Sequence, residues 1–186
     1  MMSTAFTTPA KSVANGLALL LAIFAAGQAR SAQLLAPSID ISSRIISDGI
    51  SRSNPRAIPA SIVEYELLVA NIPAETDGAS GPAIVNPIPA QLSLFVGDIG
   101  TGNGPFAYET TNGASGFECH FETLSSMSDC VEFSDDGGKS FDYVPAPDRQ
   151  GFDPDITHLR FRLKAGQPLE SSQSSTFVLR YRMRME

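Results

Sequence analysis

The sequence predicts an all-β protein, an antiparallel β-sandwich of about eight short strands. Short apolar segments alternate with turns rich in Pro, Gly, Ser, Asn and Asp, and no stretch after residue 32 keeps a helical period. Several segments alternate apolar and polar residues with a period of two, which is typical of strands that bury one face. Because frequent turns separate strands without intervening helices, a sandwich is favoured over a parallel sheet.

The first 32 residues have the pattern of a secretory signal peptide. Lys11 precedes an uncharged apolar run, GLALLLAIFAA at residues 16–26, and small residues follow it. This run of 11 residues is shorter than the roughly 20 that a membrane-spanning helix needs. The alternative is a buried core helix. We expect cleavage within residues 29–32, leaving a periplasmic or extracellular β-sandwich domain at 33–186 without a stable transmembrane anchor.

The charge balance excludes one class of partner. The chain has 13 basic and 20 acidic residues, a net charge of −7, and loss of residues 1–32 would remove Lys11, Arg30 and no acid. The mature chain would then carry 11 basic and 20 acidic residues, a net charge of −9. Such a charge argues against non-specific nucleic-acid binding, and we expect no nucleic-acid partner.

The first strands are predicted from alternation. The segment IDIS at 39–42 begins as a weak strand, and SIVEYELLVAN at 61–71 is the clearest one. In the latter, one face carries Val63, Tyr65, Leu67 and Val69, and the other carries Glu64 and Glu66. This pattern indicates one face in a core and one face partly in water.

The middle of the chain predicts shorter strands between loops. AIVNPIP and QLSLFVG follow, and Pro87 and Pro89 place their positions at a sheet edge or a strand junction because proline cannot donate to a ladder. The segments at 97–105 and from Thr110 onward are turns. FECHFE, CVEFS and SFDYV are each short enough for a strand.

The last two strands are the most regular. THLRFRLK and TFVLRYRMRM alternate apolar and basic residues, and a linker with Gly166 and Pro168 connects them. We expect them to be neighbouring antiparallel strands. Their outward faces would carry six basic residues, here called the arginine stripe: Arg160, Arg162, Lys164, Arg180, Arg182 and Arg184.

The arginine stripe has two interpretations. The first is cross-strand pairing with acids such as Glu64 and Glu66, together with protection of the sheet edge from aggregation. The second is a docking surface for an acidic envelope protein, a surface polysaccharide or lipid phosphates, since arginine offers a fork of donors. The stripe is therefore the candidate partner-binding site.

Two cysteines, Cys119 and Cys130, are present. An even count in an exported chain predicts a disulfide, because the compartment is oxidising. The alternative is a redox or metal pair, but the spacing fits neither a C-x-x-C motif nor a zinc knuckle. We expect a structural disulfide worth roughly 2–3 kcal/mol.

Two blocks of the chain resemble the bacterial DUF11 conserved-repeat domain. The first block, V-x-Y followed by V-x-N, is matched by Val63, Tyr65, Val69 and Asn71. The second is matched by Ile88, Pro89, Ala90 and Leu92, with Asn86 where that family usually has Asp. A variant of the family also has v-x-F-S-x-D-G-G-x-x-F and D-x-T-x-(L/I)-R, matched by Val131, Phe133, Ser134, Asp136, Gly137, Gly138, Phe141, Asp155, Thr157, Leu159 and Arg160.

The resemblance covers nearly the whole mature chain, and its motifs are structural. It implies an immunoglobulin-like β-sandwich of the kind found in exported and cell-surface proteins of bacteria. It also implies a spacer, adhesion or assembly module without general catalytic activity. This chain has one copy of the motif set, which favours a small periplasmic or secreted accessory protein.

The stretch SDDGGKSF at 134–141 resembles the Asp-box of sialidases, yet it predicts a structural turn formed by Ser134, Asp136, Gly138 and Ser140. Glycine tolerates the positive φ of a tight turn, and the Asp136 carboxylate can accept backbone N–H groups. Glycoside hydrolysis needs two carboxylates at a set separation, and one such box cannot build a propeller.

Metal binding and catalysis have weaker support. Asp148, Asp153 and Asp155 cluster in one loop, with Asp135 and Asp136 near in sequence, and could contribute to a calcium site, although their spacing is not that of an EF-hand. His120 and His158 are the only histidines, and neither G-x-S-x-G nor H-E-x-x-H occurs. We predict no catalytic residue, no metal and no cofactor. The alternative function is a calcium-dependent or carbohydrate-binding secreted domain.

Overall fold

The computed structural model describes residues 36–51, 53–72, 81–100, 102, 104–110, 116–166 and 175–186. The predicted signal peptide and its cleavage position lie outside the described residues. Within these ranges, no helix is long and apolar enough to cross a membrane.

The described chain is all-β, and every strand pairing is antiparallel, so the predicted β-sandwich is confirmed. The strands are β1 (Ser38–Ser47), β2 (Ile62–Ile72), β3 (Ala83–Pro87), β4 (Leu92–Phe95), β5 (Phe106–Thr110), β6 (Phe117–Glu118), β7 (Val131–Ser134), β8 (Phe152–Asp153), β9 (His158–Arg162), β10 (Lys164–Ala165) and β11 (Ser175–Met185). Three of the eleven have two residues, which is why their number exceeds the expected eight.

One layer of the sandwich, here called the large sheet, is built around β11. Strand β2 lies on one side of β11 along its length, and β1 pairs with the other edge of β2. On the far side, β5 pairs with the first half of β11 and β4 with the second half, and β8 pairs with β4. Strand β11 is therefore paired on both edges, whereas β1 is at the end of the sheet.

The second layer, here called the small sheet, has the order β3–β9–β7. Directly after β9, the two residues of β10 pair with β6. Pro87 is the last residue of β3, an edge strand of this sheet, where the N–H that proline lacks is not needed to hold a second neighbour. The predicted location of this proline at an edge or junction is correct.

The core lies between the two layers and is rich in aromatic residues. Phe161 of the small sheet packs edge-on against Phe106, with ring centroids 5.3 Å apart, and lies 6.3 Å from the ring of Tyr181. Each of these three side chains is at most 1% exposed. The hydroxyl of Tyr181 accepts a hydrogen bond from the buried amide of Asn86, so these two polar groups within the core satisfy each other.

A disulfide joins Cys119 and Cys130, whose Cα atoms are 5.1 Å apart. Both cysteines belong to the core cluster. The Cys130 N–H also donates to the carbonyl of His120, and the Arg162 N–H donates to the carbonyl of Cys130. The disulfide therefore ties the residue that follows β6 to the residue that precedes β7, and the hydrogen bond from Arg162 ties the same point to β9.

The expectation that the last two predicted strands are neighbours is wrong. Strand β9 pairs with β3 and β7, and β11 pairs with β2, β4 and β5. The two strands instead face each other across the core, as the contact between Phe161 and Tyr181 shows. An alternating strand buries one of its faces. Two such strands can do so side by side in one sheet or in two sheets that face each other, so the pattern does not distinguish these arrangements.

Three further segments differ from the prediction. SFDYV forms an isolated bridge between Tyr143 and Phe133 and no strand. In this register the next residue after Tyr143 whose N–H would donate to β7 is Pro145, which has no N–H. FAYET forms β5 and Phe152–Asp153 forms β8, although neither was expected.

Candidate functional site

The three arginines of β11 lie on the outer face of the large sheet, each beside an acid. Arg180 donates to Glu66 at 2.7 Å and to Glu109 at 2.6 Å. Arg182 donates to Glu64 at 3.1 Å, which is its direct cross-strand partner on β2. These contacts are cross-strand ion pairs of the kind that stabilise a sheet.

Arg184 completes this row near the end of β11. It donates to Asp148 at 2.8 Å, to Gln150 at 2.9 Å and to Glu186 at 2.9 Å. Its guanidinium also lies 4.5 Å from the ring centroid of Phe152. These partners leave the side chain only 14% exposed, so a ligand would have to displace them to reach it.

The basic residues of β9 and β10 lie on the opposite outer face, that of the small sheet. Arg160 and Arg162 both bind the buried carboxylate of Glu132 on β7. Arg160 also covers the ring of Phe141, 3.9 Å from its centroid. Lys164 donates to the carbonyl of Ser128 at 2.6 Å.

The arginine stripe is consequently two separate rows on opposite sides of the molecule. This corrects the expected single surface, since β9 and β11 belong to different sheets. Glu64 shows how strongly one row is held: its side chain is 7% exposed, and burial alone would raise its pKa, yet hydrogen bonds from Arg44 and Arg182 lower it. The carboxylate therefore stays ionised inside a cross-strand cluster.

The segment Ser134–Ser140 forms a turn closed on the carboxylate of Asp136. The N–H groups of Ser140 and Lys139 donate to this carboxylate, and so do the hydroxyls of Ser134 and Ser140. Led by the backbone bond from Ser140, these contacts lower the pKa of Asp136 to about 2. Gly138 has a φ of +81°, and an added Cβ would lie 3.1 Å from the His158 ring. Every polar side chain of the predicted turn thus has a structural partner.

The acidic loop residues are used in the same way. The Asp148 carboxylate accepts the N–H groups of Phe152 and Gln150 as well as Arg184, and these bonds lower its pKa to about 2. Asp153 is fully buried and accepts the Tyr143 hydroxyl, so burial and this acceptor raise the pKa of Tyr143 to about 12. Among the described residues, no three His, Cys, Asp or Glu side chains are grouped so as to hold a metal ion.

One hydroxyl and imidazole pair lies close together, but its geometry is structural. The Thr157 hydroxyl is 3.3 Å from Nδ1 of His158. It donates to the carbonyl of Ser134 and accepts the N–H of Gly137, both at 3.0 Å. The hydroxyl proton is therefore committed to a backbone carbonyl and is not available to the imidazole as an activated nucleophile would require.

A surface groove of about 290 Å³ beside the disulfide contains charged groups of both signs. Asp129, Arg162 and Lys164 contribute to its lining. Burial raises the pKa of Asp129, while its carboxylate accepts the N–H groups of Glu122 and Val131. The acid is consequently engaged by its own loop, and Arg162 and Lys164 have the partners given above.

The free edge of β1 differs from these satisfied surfaces. All ten residues, Ser38–Ser47, form one strand, and it pairs with β2. No strand in the described ranges pairs with its other edge. A strand of this length with an open edge presents a row of unpaired backbone donors and acceptors, which is a template for another strand.

The inner face of β1 is also apolar and uncovered. Ile39 and Ile41 lie opposite Val69 and Leu67 of β2, on the face that forms the core. Val69 and Leu67 are completely buried, whereas Ile39 and Ile41 are 47% and 56% exposed. In the part of the chain that the structure describes, the small sheet does not extend over β1, and Ile39 and Ile41 remain exposed on the apolar face of the large sheet.

Strand β1 extends beyond the predicted segment IDIS at 39–42, and the residues after it continue part of the alternation. Isoleucine recurs at 39, 41 and 45 with Asp40, Ser42 and Arg44 between them, a period-two pattern that Ser43 and Ile46 make weaker than that of β2. Alternation alone cannot distinguish an end strand from a central one, and so it did not point to a binding edge.

Comparison of the chain with protein-family models, with curated proteins and with solved structures found no match.

Proposed function

We propose that this protein is an exported, non-catalytic interaction module of the bacterial envelope, and that it binds its partner through the free edge of β1. The observation that carries the proposal is the ten-residue strand paired on one side, with Ile39 and Ile41 exposed on the face that is buried elsewhere in the sheet. Adding a strand to such an edge gives affinity through main-chain hydrogen bonds and specificity through alternate side chains.

The charged surfaces support this choice by contrast. Each basic residue of the arginine stripe already has an acidic or carbonyl partner, so a ligand that bound there would have to break an existing contact. Main-chain pairing along the outer edge of β1 uses backbone groups that no strand in the described ranges pairs with, and it covers exposed apolar side chains. An acidic domain with a ten-residue strand at the end of its large sheet is suited to assembly, and export remains a proposal from the signal-like segment at 1–32.

The proposal is tested by photo-crosslinking in whole cells. A benzoylphenylalanine residue replaces Ile41, which is 56% exposed on β1, and in a matched control it replaces Val85, which is 50% exposed on β3. We expect an adduct from position 41, identified by mass spectrometry, and none from position 85. Equal yields from the two positions, or no adduct from position 41, would contradict the edge-binding function.

Calcium-dependent or carbohydrate binding is the alternative function. The candidate acids Asp136, Asp148 and Asp153 are each engaged by protein groups, which disfavours a calcium site among them. A ligand that binds only the folded state raises its stability, so thermal melts with calcium and with chelator separate the two functions. We expect coincident melting temperatures; a rise of several degrees in calcium would favour the alternative.

A further inference from the structure

Strand β1 carries charges arranged for pairing with an identical strand. On its outer face are Asp40, Ser42 and Arg44, and on its inner face are Ile39, Ile41, Ser43 and Ile45. If two copies of β1 run antiparallel about a two-fold axis through Ser42, each Asp40 lies directly opposite the Arg44 of the other copy. The same register places each Ile39 opposite an Ile45.

A two-fold axis through Ser42 keeps each pair of opposite side chains on the same face of the sheet. In antiparallel pairing, directly opposite residues have side chains on the same face of the sheet, and a two-fold axis perpendicular to the sheet preserves that face. Pairs 40 with 44 and 39 with 45 satisfy this condition. Shifting the register by two residues places Arg44 opposite Ser42 or Ser38 and loses both charge pairs.

Arg44 donates to Glu64 in the single chain, yet its side chain is exposed enough to bridge Glu64 and a second carboxylate. Glu64 is shared by Arg44 and Arg182, so one carboxylate meets two guanidinium groups, and Arg44 remains 73% exposed. Asp40 lies opposite Leu68 and has no ion-pair partner among the described residues. The outer face of β1 is thus positive at one end and negative at the other, which is the distribution that an isologous contact requires.

The backbone contribution is adequate for a specific contact. Pairing residues 39–45 of two strands forms about six to eight main-chain hydrogen bonds, and a typical protein interface has about 10 ± 5. The proposed pairing of the two β1 strands ends at Ile45, because β1 becomes irregular between Ile45 and Ser47 where it pairs with β2. The isoleucines contributed by each copy, Ile39, Ile41 and Ile45, would come together on one face.

We propose that the partner at this edge is a second copy of the chain, and that two copies form a symmetric dimer by antiparallel pairing of β1 with its two-fold axis at Ser42. The large sheets of the two copies become one continuous sheet of twelve strands, with six from each copy. This inference rests on the proposed edge-binding function and names its partner.

Charge reversal tests the register. In Asp40→Lys alone, the introduced lysine faces Arg44 of the other copy at both symmetry-related sites. In Arg44→Glu alone, the introduced glutamate faces Asp40 of the other copy at both sites. Because like charges directly opposite each other are unfavourable, each single variant should raise the dimer dissociation constant at least about tenfold in sedimentation velocity.

Mixing the two variants restores the opposite charges. In an equal mixture, the introduced lysine of one chain meets the introduced glutamate of the other, and the two native residues, Arg44 and Asp40, meet at the second site. The mixture should therefore regain the dimer as a heterodimer. A mixture that stays as dissociated as either variant alone would contradict the pairing of positions 40 and 44.

A cysteine introduced on the axis gives an independent measurement. Directly opposite Cα atoms lie about 4.5–5.5 Å apart, within reach of a disulfide. Ser42→Cys should form a covalent dimer on mild oxidation, while Ser38→Cys, an exposed serine away from the axis, should not. The native pair Cys119–Cys130 is already joined and does not compete. A dimer cross-linked equally at both positions would overturn the register.

The outcomes separate this inference from the function on which it rests. A purified protein that is monomeric at every concentration up to hundreds of micromolar, and is not cross-linked by Ser42→Cys, overturns the self-pairing. If position 41 still forms an adduct with a different protein in cells, the edge-binding function stands and the second copy is rejected. If position 41 forms no adduct at all, both are rejected. Dimer recovery by the mixed variants, with cross-linking at position 42 alone, supports the inference.

Discussion

Strands β1 and β11 border the same strand, β2, and have the same alternating pattern, yet they differ in almost every physical respect. On the face toward the core, Ile41 and Leu179 lie on either side of Leu67. Leu179 is completely buried and Ile41 is 56% exposed. On the outer face, Arg44 and Arg182 bind the same carboxylate of Glu64, but their side chains are 73% and 33% exposed.

The difference shows that local pattern and local pairing do not determine burial. Strand β11 has neighbours on both edges and the small sheet opposite its inner face, whereas β1 has one neighbour and no facing layer among the described residues. The hydrophobic contribution of an isoleucine or leucine depends on the area that it removes from water. The same residue types therefore stabilise the fold in β11 and remain available for binding in β1.

The largest expected contrast comes from truncating the two side chains that flank Leu67. Leu179→Ala should lower the free energy of unfolding by about 2–5 kcal/mol, because it leaves a cavity in the core. Ile41→Ala should change it by about 0.5 kcal/mol or less, as is usual for surface positions. Urea denaturation at low protein concentration measures both without a contribution from self-association. Equal costs would show that the inner face of β1 is covered in solution.

Removing the disulfide should weaken the layer that covers β11. Replacing Cys119 and Cys130 together with alanine should cost about 2–3 kcal/mol, since the denatured chain regains the entropy of the closed loop. Native-state hydrogen exchange should then report faster exchange in β9 and β11. If exchange became faster only in β1, the disulfide would not stabilise the small sheet that covers β11.

The two arginines that share Glu64 sharpen the comparison on the outer face. Arg182→Ala should cost about 1–2 kcal/mol, because it removes a partly buried hydrogen bond to a charged group. Arg44→Ala should cost less than about 0.5 kcal/mol, as expected for an exposed ion pair. Thermal or urea melts of the two variants compare these losses of stability. A larger loss from Arg44→Ala would mean that β1, and not β11, makes the stronger contact with the Glu64 carboxylate.

The smallest expected effect is on the acid side of the stability profile. Asp148, which binds Arg184 of β11, and Asp136 have folded-state pKa values of about 2 against an ordinary 3.8. The unfolded state therefore binds protons first as the pH falls, and the stability that these carboxylates supply above about pH 4 is lost between about pH 4 and 2. Melts of Asp148→Asn should show a shallower loss over this window than the native chain, with parallel profiles above about pH 5. If Asp148→Asn loses stability between about pH 4 and 2 as steeply as the native chain, Asp148 does not contribute to the acid dependence.

The inner face of β2 and the outward arginines could be predicted from the sequence because each depends on alternation within one strand. The turn at Asp136 could be predicted from the side-chain chemistry of a few neighbouring residues. The location of Pro87 at a sheet edge could be predicted because proline has no N–H to donate. The pairings of Arg160 with Glu132 and of Arg184 with Asp148 could not be predicted, since the paired residues are 28 and 36 positions apart along the chain. Strand β8 was not predicted because two residues between Gly151 and Pro154 are too few to show a period.

The sequence by itself determined that this chain is a β protein with one apolar face per strand, because steric preferences and period-two patterning act within a few neighbouring residues. Only the tertiary structure decided that β9 and β11 face each other across a core, that the basic residues are divided between two surfaces, and that β1 keeps an open edge. These depend on which layer lies over which strand, and contacts between residues far apart in the chain decide that.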